Sequence, residues 1–143
     1  AQLVATHPPY LNIIQYGGTP GDLSGAGSLE EYLRMIKQVA REAYRVLKPD
    51  GVFAVLAGDT RAHKYYIPVS TYVLLALLDV GFALREEVVK VQHRMKKTLE
   101  VWRRLRERDF LLIYHEKLFI LQKLRDITKV RLSLMPSFIN IRI

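Results

Sequence analysis

The sequence contains no cysteine, which excludes disulfides, thiolate metal sites and a cysteine nucleophile. It also lacks a long apolar run. The most apolar stretch, Ile67 to Val80, is interrupted by Asp79 and falls short of the roughly 18 to 20 residues that cross a bilayer, so no membrane span is expected. The first residues, AQLVATHPPY, have neither the basic region nor the cleavage site of a secretory leader. No internal repeat or low-complexity run is present. The four histidines, at 7, 63, 93 and 115, have no ligand spacing, and no metal site is expected. These absences fit a cytoplasmic protein. Acidic residues are the minority charge, 14 against 22 Lys and Arg, for a net charge of +8. A surplus of that size favours a polyanionic partner such as nucleic acid. Half the residues are hydrophobic and a quarter charged, as in a globular chain of one domain.

Leu3 to Thr6 is a short β-prone run stopped by Pro8-Pro9, which reads as a buried strand entering a rigid loop. The glycine-rich stretch from Gly17 to Gly27 reads as a loop. Ser28 and Glu31 form a capping box. The apolar residues that follow, from Leu29 through Leu33, Ile36, Ala40 and Ala43 to Leu47, keep the 3.6-residue helical period. Lys48-Pro49-Asp50-Gly51 should end that helix, with Gly51 supplying a left-handed turn. Val52 to Leu56 reads as a strand buried on both faces. Arg61 to Tyr66 is expected to be a loop. Pro68 suits the first turn of a second helix that ends near Asp79, with Gly81 as its cap. Phe82 to His93, Phe110 to Tyr114 and Leu118 to Leu121 are strand candidates, and Met95 to Arg108 is helix-capable. Strand, helix, strand, helix, strand implies an α/β sheet of three layers. Ligands in such sheets sit at the carboxyl ends of strands, here the loops His7 to Gly27 and Gly58 to Tyr66.

Thr6-His7-Pro8-Pro9-Tyr10 resembles the signature of the DNA amino-methyltransferases, in which Asp, Asn or Ser precedes Pro-Pro and an aromatic residue directly after a strand. LVATHPPYLNIIQY, YRVLKPDGVFAVLAGDTR and HEKLFILQK follow in that family's order, and the resemblance spans most of residues 1 to 123. It implies a Rossmann-like methyltransferase sheet, mostly parallel with antiparallel last strands, and S-adenosylmethionine as cofactor. An exocyclic amine is a poor nucleophile because its lone pair is delocalised into the base. An acceptor aimed at it helps the nitrogen pyramidalise toward the methyl donor. A proline pair fixes the backbone, so that the carbonyl of Pro8 points at one place without reorganising. Tyr10 gives a flipped base a stacking platform. The resemblance thus implies catalytic roles for His7, Pro8, Pro9 and Tyr10. His7 departs from the family's Asp, Asn or Ser. A neutral imidazole still accepts one hydrogen bond, but it leaves cytosine and adenine both open as targets.

Asn12 and Asp59 are candidates for cofactor contacts, Asp59 because Gly58-Asp59-Thr60-Arg61 follows the second buried strand; a plain turn explains the same residues. His63, Lys64, Tyr65 and Tyr66 interleave basic and aromatic groups, as contacts to unstacked bases do. Between positions 90 and 108 lie eight Lys or Arg. Candidate phosphate contacts are Arg61, Lys64, Arg94, Lys96, Lys97, Arg103 and Arg104; the alternative for the stretch is a solvated helix face with Trp102 turned inward.

The glycine-rich cofactor loop of the resembled family, similar to Asp-Pro-Phe-x-Gly-x-Gly, is absent. The expectation is therefore a partial catalytic domain over 1–123, its N-terminal half missing, and a tail over 124–143. The unpaired strand edge at residues 2 to 6 would be covered by a homodimer or by the missing half. Three readings compete: a DNA methyltransferase acting on cytosine or adenine, with the fragment inactive alone; a relative of the tRNA guanine amino-methyltransferases, with RNA as the less favoured partner; and a non-catalytic nucleic-acid-binding module or subunit.

Overall fold

A computed structural model describes residues 1–9, 26–62, 64–92 and 109–126. Residues 10–25, with the candidates Tyr10 and Asn12, residue 63, the basic stretch 93–108 and residues 127–143 lie outside the described residues.

The chain begins with strand β1, Leu3–Thr6. Helix α1, Leu29–Val46, starts where the capping residues put it. The Ser28 hydroxyl accepts from the Glu31 backbone N–H at 3.1 Å, and the Glu31 carboxylate accepts from the N–H of Gly27 at 2.9 Å. The first of these bonds satisfies an orphan donor of the first turn, and the second ties the residue ahead of the cap to the helix. One stripe of α1, with Tyr32, Leu33, Ile36, Ala40 and Ala43, is buried. The left-handed turn after it belongs to Asp50 (φ 65°), not to Gly51. Gly51 is needed for another reason: a Cβ there would stand 2.9 Å from the Lys48 carbonyl oxygen and 3.2 Å from that of Gln2. The last carbonyls of α1 are met by a cation, as the helix dipole favours. Lys123 Nζ donates to the carbonyls of Tyr44 (2.7 Å) and Leu47 (2.9 Å).

Strand β2, Val52–Gly58, is followed by β3, Thr60–Ala62, and β4, Tyr65–Ile67. The expected loop at 61–66 is therefore a small antiparallel hairpin, with Arg61 opposite Tyr66 and Ala62 opposite Tyr65. Lys64 takes a left-handed conformation in its turn (φ 72°), as tight hairpin turns require. Helix α2, Val69–Val80, has Pro68 at its N-cap and Gly81 as a left-handed C-cap (φ 117°). Strand β5 is Ala83–Val91 and β6 is His115–Gln122. Residues 111–114, expected within a strand, lie outside any strand; the Leu111 carbonyl accepts from Arg61 at 2.7 Å and so is held by a side chain instead of a ladder.

The main sheet has the order β1-β2-β6-β5. β1 and β2 are parallel and joined through α1, while β6 runs antiparallel to both β2 and β5. The fold is α/β, with the antiparallel last strands that were expected. Phe53, Val55, Ala57, Phe119 and Leu121 share one core with the buried stripes of α1 and α2. Both helices thus cover the same sheet face, and the described residues account for two layers of the expected three. β2 is fully buried on that face and half-buried on the other. β1 pairs only with β2 among the described residues, and Leu3 on it is 60% exposed.

Candidate target-base site at the carboxyl edge of the sheet

The topology brings four strand ends to one edge. β1 ends at Thr6 and passes into His7-Pro8-Pro9. β2 ends at Gly58, just before Asp59. β6 begins there with His115 and Glu116, and β5 ends there with Lys90 and Val91. Across the edge, Gly58 pairs with Glu116 and Glu116 with Lys90, in one row.

Pro8 is buried whereas His7 is exposed. The proline therefore anchors the loop in the body of the protein while the imidazole reaches into solvent. His7 Nε2 lies 3.5 Å from Oε1 of Glu116, and Lys90 Nζ donates to Oε2 of the same carboxylate at 2.7 Å. The Glu116 side chain is 5% exposed, against 52% for His7 and 54% for Lys90. Burying a carboxylate is costly unless it is paired and hydrogen-bonded. Here a solvent-facing cation and an imidazole share it. Sequence reading missed Glu116, because a glutamate between His115 and Lys117 has the look of strand surface. The signal that could have exposed it is its neighbourhood: it opens HEKLFILQ, the strand whose residues pair with β2.

Asp59 sits beside this edge, but both its oxygens accept hydrogen bonds within the chain. Oδ2 accepts from the Tyr66 hydroxyl, and Oδ1 accepts from the Ser70 N–H at 2.7 Å. Pro68 gives α2 no side-chain cap, so Asp59 supplies one from the preceding turn. The Tyr66 hydroxyl is pushed up to about 12, first by burial, then by its hydrogen bond to Asp59 and that carboxylate's charge, against the opposing charge of Arg61. Arg61, expected to meet phosphate, turns inward. Its guanidinium donates to the carbonyls of Lys64 (3.0 Å) and Leu111 (2.7 Å) and lies over the rings of Phe110 (4.8 Å) and Tyr66 (5.3 Å). Planar stacking together with a donor fork explains why an arginine occupies this place. Lys64 faces Asp109 at 3.4 Å and remains 60% exposed, and Tyr65 is 80% exposed.

Pro9 follows Pro8 and is half-buried. The remaining site candidates, Tyr10, Asn12, Arg94, Lys96, Lys97, Arg103 and Arg104, lie outside the described residues. Among the described residues no three His, Asp or Glu side chains gather as a metal-binding group, and no helix is long and apolar enough to cross a membrane.

Solved structures with the same fold exist. A protein from Thermus thermophilus, provisionally described as a DNA modification methylase, is 18% identical with a TM-score of 0.62, over 94% of this chain and 52% of its own. The same protein complexed with S-adenosyl-L-methionine gives 21% and 0.60, over 94% and 54%. The PvuII DNA methyltransferase, cytosine-N4-specific, is 22% identical with a TM-score of 0.62, over 94% of this chain and 47% of its own. The chain thus spans about half the length of these structures. No curated protein matches it. The model of the N6/N4 DNA methylase family matches residues 1–134, and the chain belongs to that family.

Proposed function

We propose that this chain carries the target-base side of a DNA methyltransferase that moves a methyl group from S-adenosylmethionine to the exocyclic amino group of cytosine or adenine. The observation that carries the reading is the position of His7-Pro8-Pro9. The motif leaves β1 at the carboxyl edge of the sheet, inside the family match, with Pro8 buried and His7 exposed. Its backbone is fixed by two prolines, so acceptors can be aimed at an amine before the amine arrives. The Pro8 carbonyl and the His7 imidazole accept the hydrogen bonds of the amine, and Tyr10 stacks on the extruded base.

The cofactor supplies the methyl group. Asp59, the one described candidate for a cofactor contact, has committed both oxygens to Tyr66 and Ser70. No step is therefore assigned to a cofactor contact. We take residues 1–123 as a partial catalytic domain and 124–143 as its tail. Association through the exposed β1 edge, with a second copy or with a preceding half, completes the sheet. Lys64 and the basic stretch from Arg94 to Arg104 meet the DNA, and the protein works in the cytoplasm.

Titration calorimetry with S-adenosylmethionine, followed by transfer of labelled methyl to DNA, tests the reading. Incorporation that disappears in Tyr10→Ala supports it. DNA binding with neither cofactor binding nor transfer would overturn it in favour of a non-catalytic binding module.

A further inference from the structure

We propose that the β3–β4 hairpin is a second DNA contact of the site, with Tyr65 stacking on an unpaired base of the strand that enters it. This role rests on the reading of His7-Pro8-Pro9-Tyr10 as the target-amine site and extends it from the methylated base to a neighbour.

Among the large apolar side chains of the described residues, Leu111 (84%) and Tyr65 (80%) are the most exposed. A lone exposed apolar residue is ordinary, but these two belong to backbone held by a single guanidinium. Arg61 donates to the carbonyl of Lys64, the residue before Tyr65, at 3.0 Å and to that of Leu111 at 2.7 Å. The fold thus fixes the segments that carry the tyrosine and the leucine, and it leaves both side chains uncovered. Alternation along β4 separates its two rings. Tyr66 pairs with Arg61 and lies under its guanidinium, with its hydroxyl bonded to Asp59. Tyr65 points to the other side, and its cross-strand neighbour is only the methyl group of Ala62. The turn before it holds Lys64 at φ 72°, a conformation a lysine rarely adopts, so the hairpin tip is shaped against local preference. A ring carried on backbone that is fixed beforehand loses less entropy when it binds. Every nucleobase offers a π face to such a ring, whatever the sequence. Charge and place favour DNA over a protein surface. The net charge is +8, and the tip carries Lys64, 60% exposed beside Asp109. The hairpin leaves β2, the strand paired with β1, at the edge where His7-Pro8-Pro9 emerges.

The test is fluorescence-anisotropy titration of the full chain with a labelled single-stranded DNA of mixed sequence at several salt concentrations. Tyr65→Ala should weaken binding by about five- to a hundredfold. The slope of log affinity against log salt should stay unchanged, because a phenol neutralises no phosphate. Tyr65→Phe keeps the ring and should bind as the wild type does. Stacking also has its own signature. In Tyr65→Trp, made together with Trp102→Phe so that position 65 carries the only indole, DNA should quench the emission. An unchanged affinity in Tyr65→Ala, a Tyr65→Phe as weak as Tyr65→Ala, or an unquenched indole would overturn the proposal. So would a Tyr65→Ala that abolishes self-association with DNA affinity intact, since the tyrosine would then belong to a contact between copies. A wild type that binds DNA through Tyr65 but transfers no methyl group defeats the reading of the catalytic site and supports the hairpin contact; a wild type that binds no DNA overturns both.

Discussion

Lys90 is the hydrogen-bond partner that lets the Glu116 side chain be buried. Its ammonium meets Oε2 at 2.7 Å from the neighbouring strand, yet is itself 54% exposed and keeps much of its hydration. Removing it leaves the buried Glu116 side chain with only the His7 imidazole beside it, which costs more than an exposed ion pair is worth. Lys90→Met should therefore destabilise the protein by about 1 to 3 kcal/mol in urea unfolding, whereas Arg45→Met, which breaks the exposed pair with Glu42, should cost less than about 0.5 kcal/mol. Two tyrosines make a second prediction at this scale. Tyr32 and Tyr66 are both raised from 10.0 to about 12, each with burial as the largest cause. The folded protein holds these protons where the unfolded chain releases them. Their contribution is full below pH 10 and is lost as pH rises toward 12. Between those limits the stability of Tyr66→Phe should decline less steeply than that of the wild type, measured as urea midpoints at successive pH values.

At the scale of elements, the hairpin β3–β4 and helix α2 depend on one side chain. Asp59 accepts from Ser70 N–H near the start of α2 and from the Tyr66 hydroxyl on β4, and Pro68 at the N-cap has no cap of its own. Asp59→Ala should cost about 1 to 2 kcal/mol, visible as a lower thermal midpoint. Asp59→Asn retains an acceptor and should cost less. The same elements show what sequence could and could not reveal. The start of α1 was legible because Ser28 and Glu31 cap it by local chemistry, and the end of α2 because Gly81 takes φ 117°. The hairpin was not, since strands of three residues are too short for alternation to register, and Thr60 to Ile67 pairs through backbone bonds. Phe110 to Tyr114 has strand composition, but Arg61 takes the Leu111 carbonyl and the Phe110 ring. An interaction between residues fifty apart in sequence overrides local propensity. Asp50 rather than Gly51 holds the left-handed turn because Gly51 is committed to a close backbone approach.

At the scale of the molecule, the site is half local and half assembled. His7-Pro8-Pro9 could be found in sequence because its chemistry is contiguous. Glu116 could not, because its burial and its partners come from the neighbouring strands and from the loop after β1. Arg61 marks the same divide: its position in a basic, aromatic stretch suggested phosphate contact, and the fold spends its guanidinium on Lys64, Leu111 and two rings. The net charge of +8 then has to act through other side chains, and salt dependence separates them. Each Lys or Arg that neutralises a phosphate adds about 0.9 to the slope of log affinity against log salt. Replacing Arg94, Lys96, Lys97, Arg103 and Arg104 by Gln should flatten that slope by about one unit for every phosphate no longer neutralised, with little effect on the thermal midpoint. Arg61→Met should do the reverse, lowering the midpoint and leaving the slope nearly unchanged, because a guanidinium already tied to two carbonyls releases no counterions when DNA binds. A slope that falls with Arg61→Met and not with the basic stretch would place the phosphates against the hairpin instead.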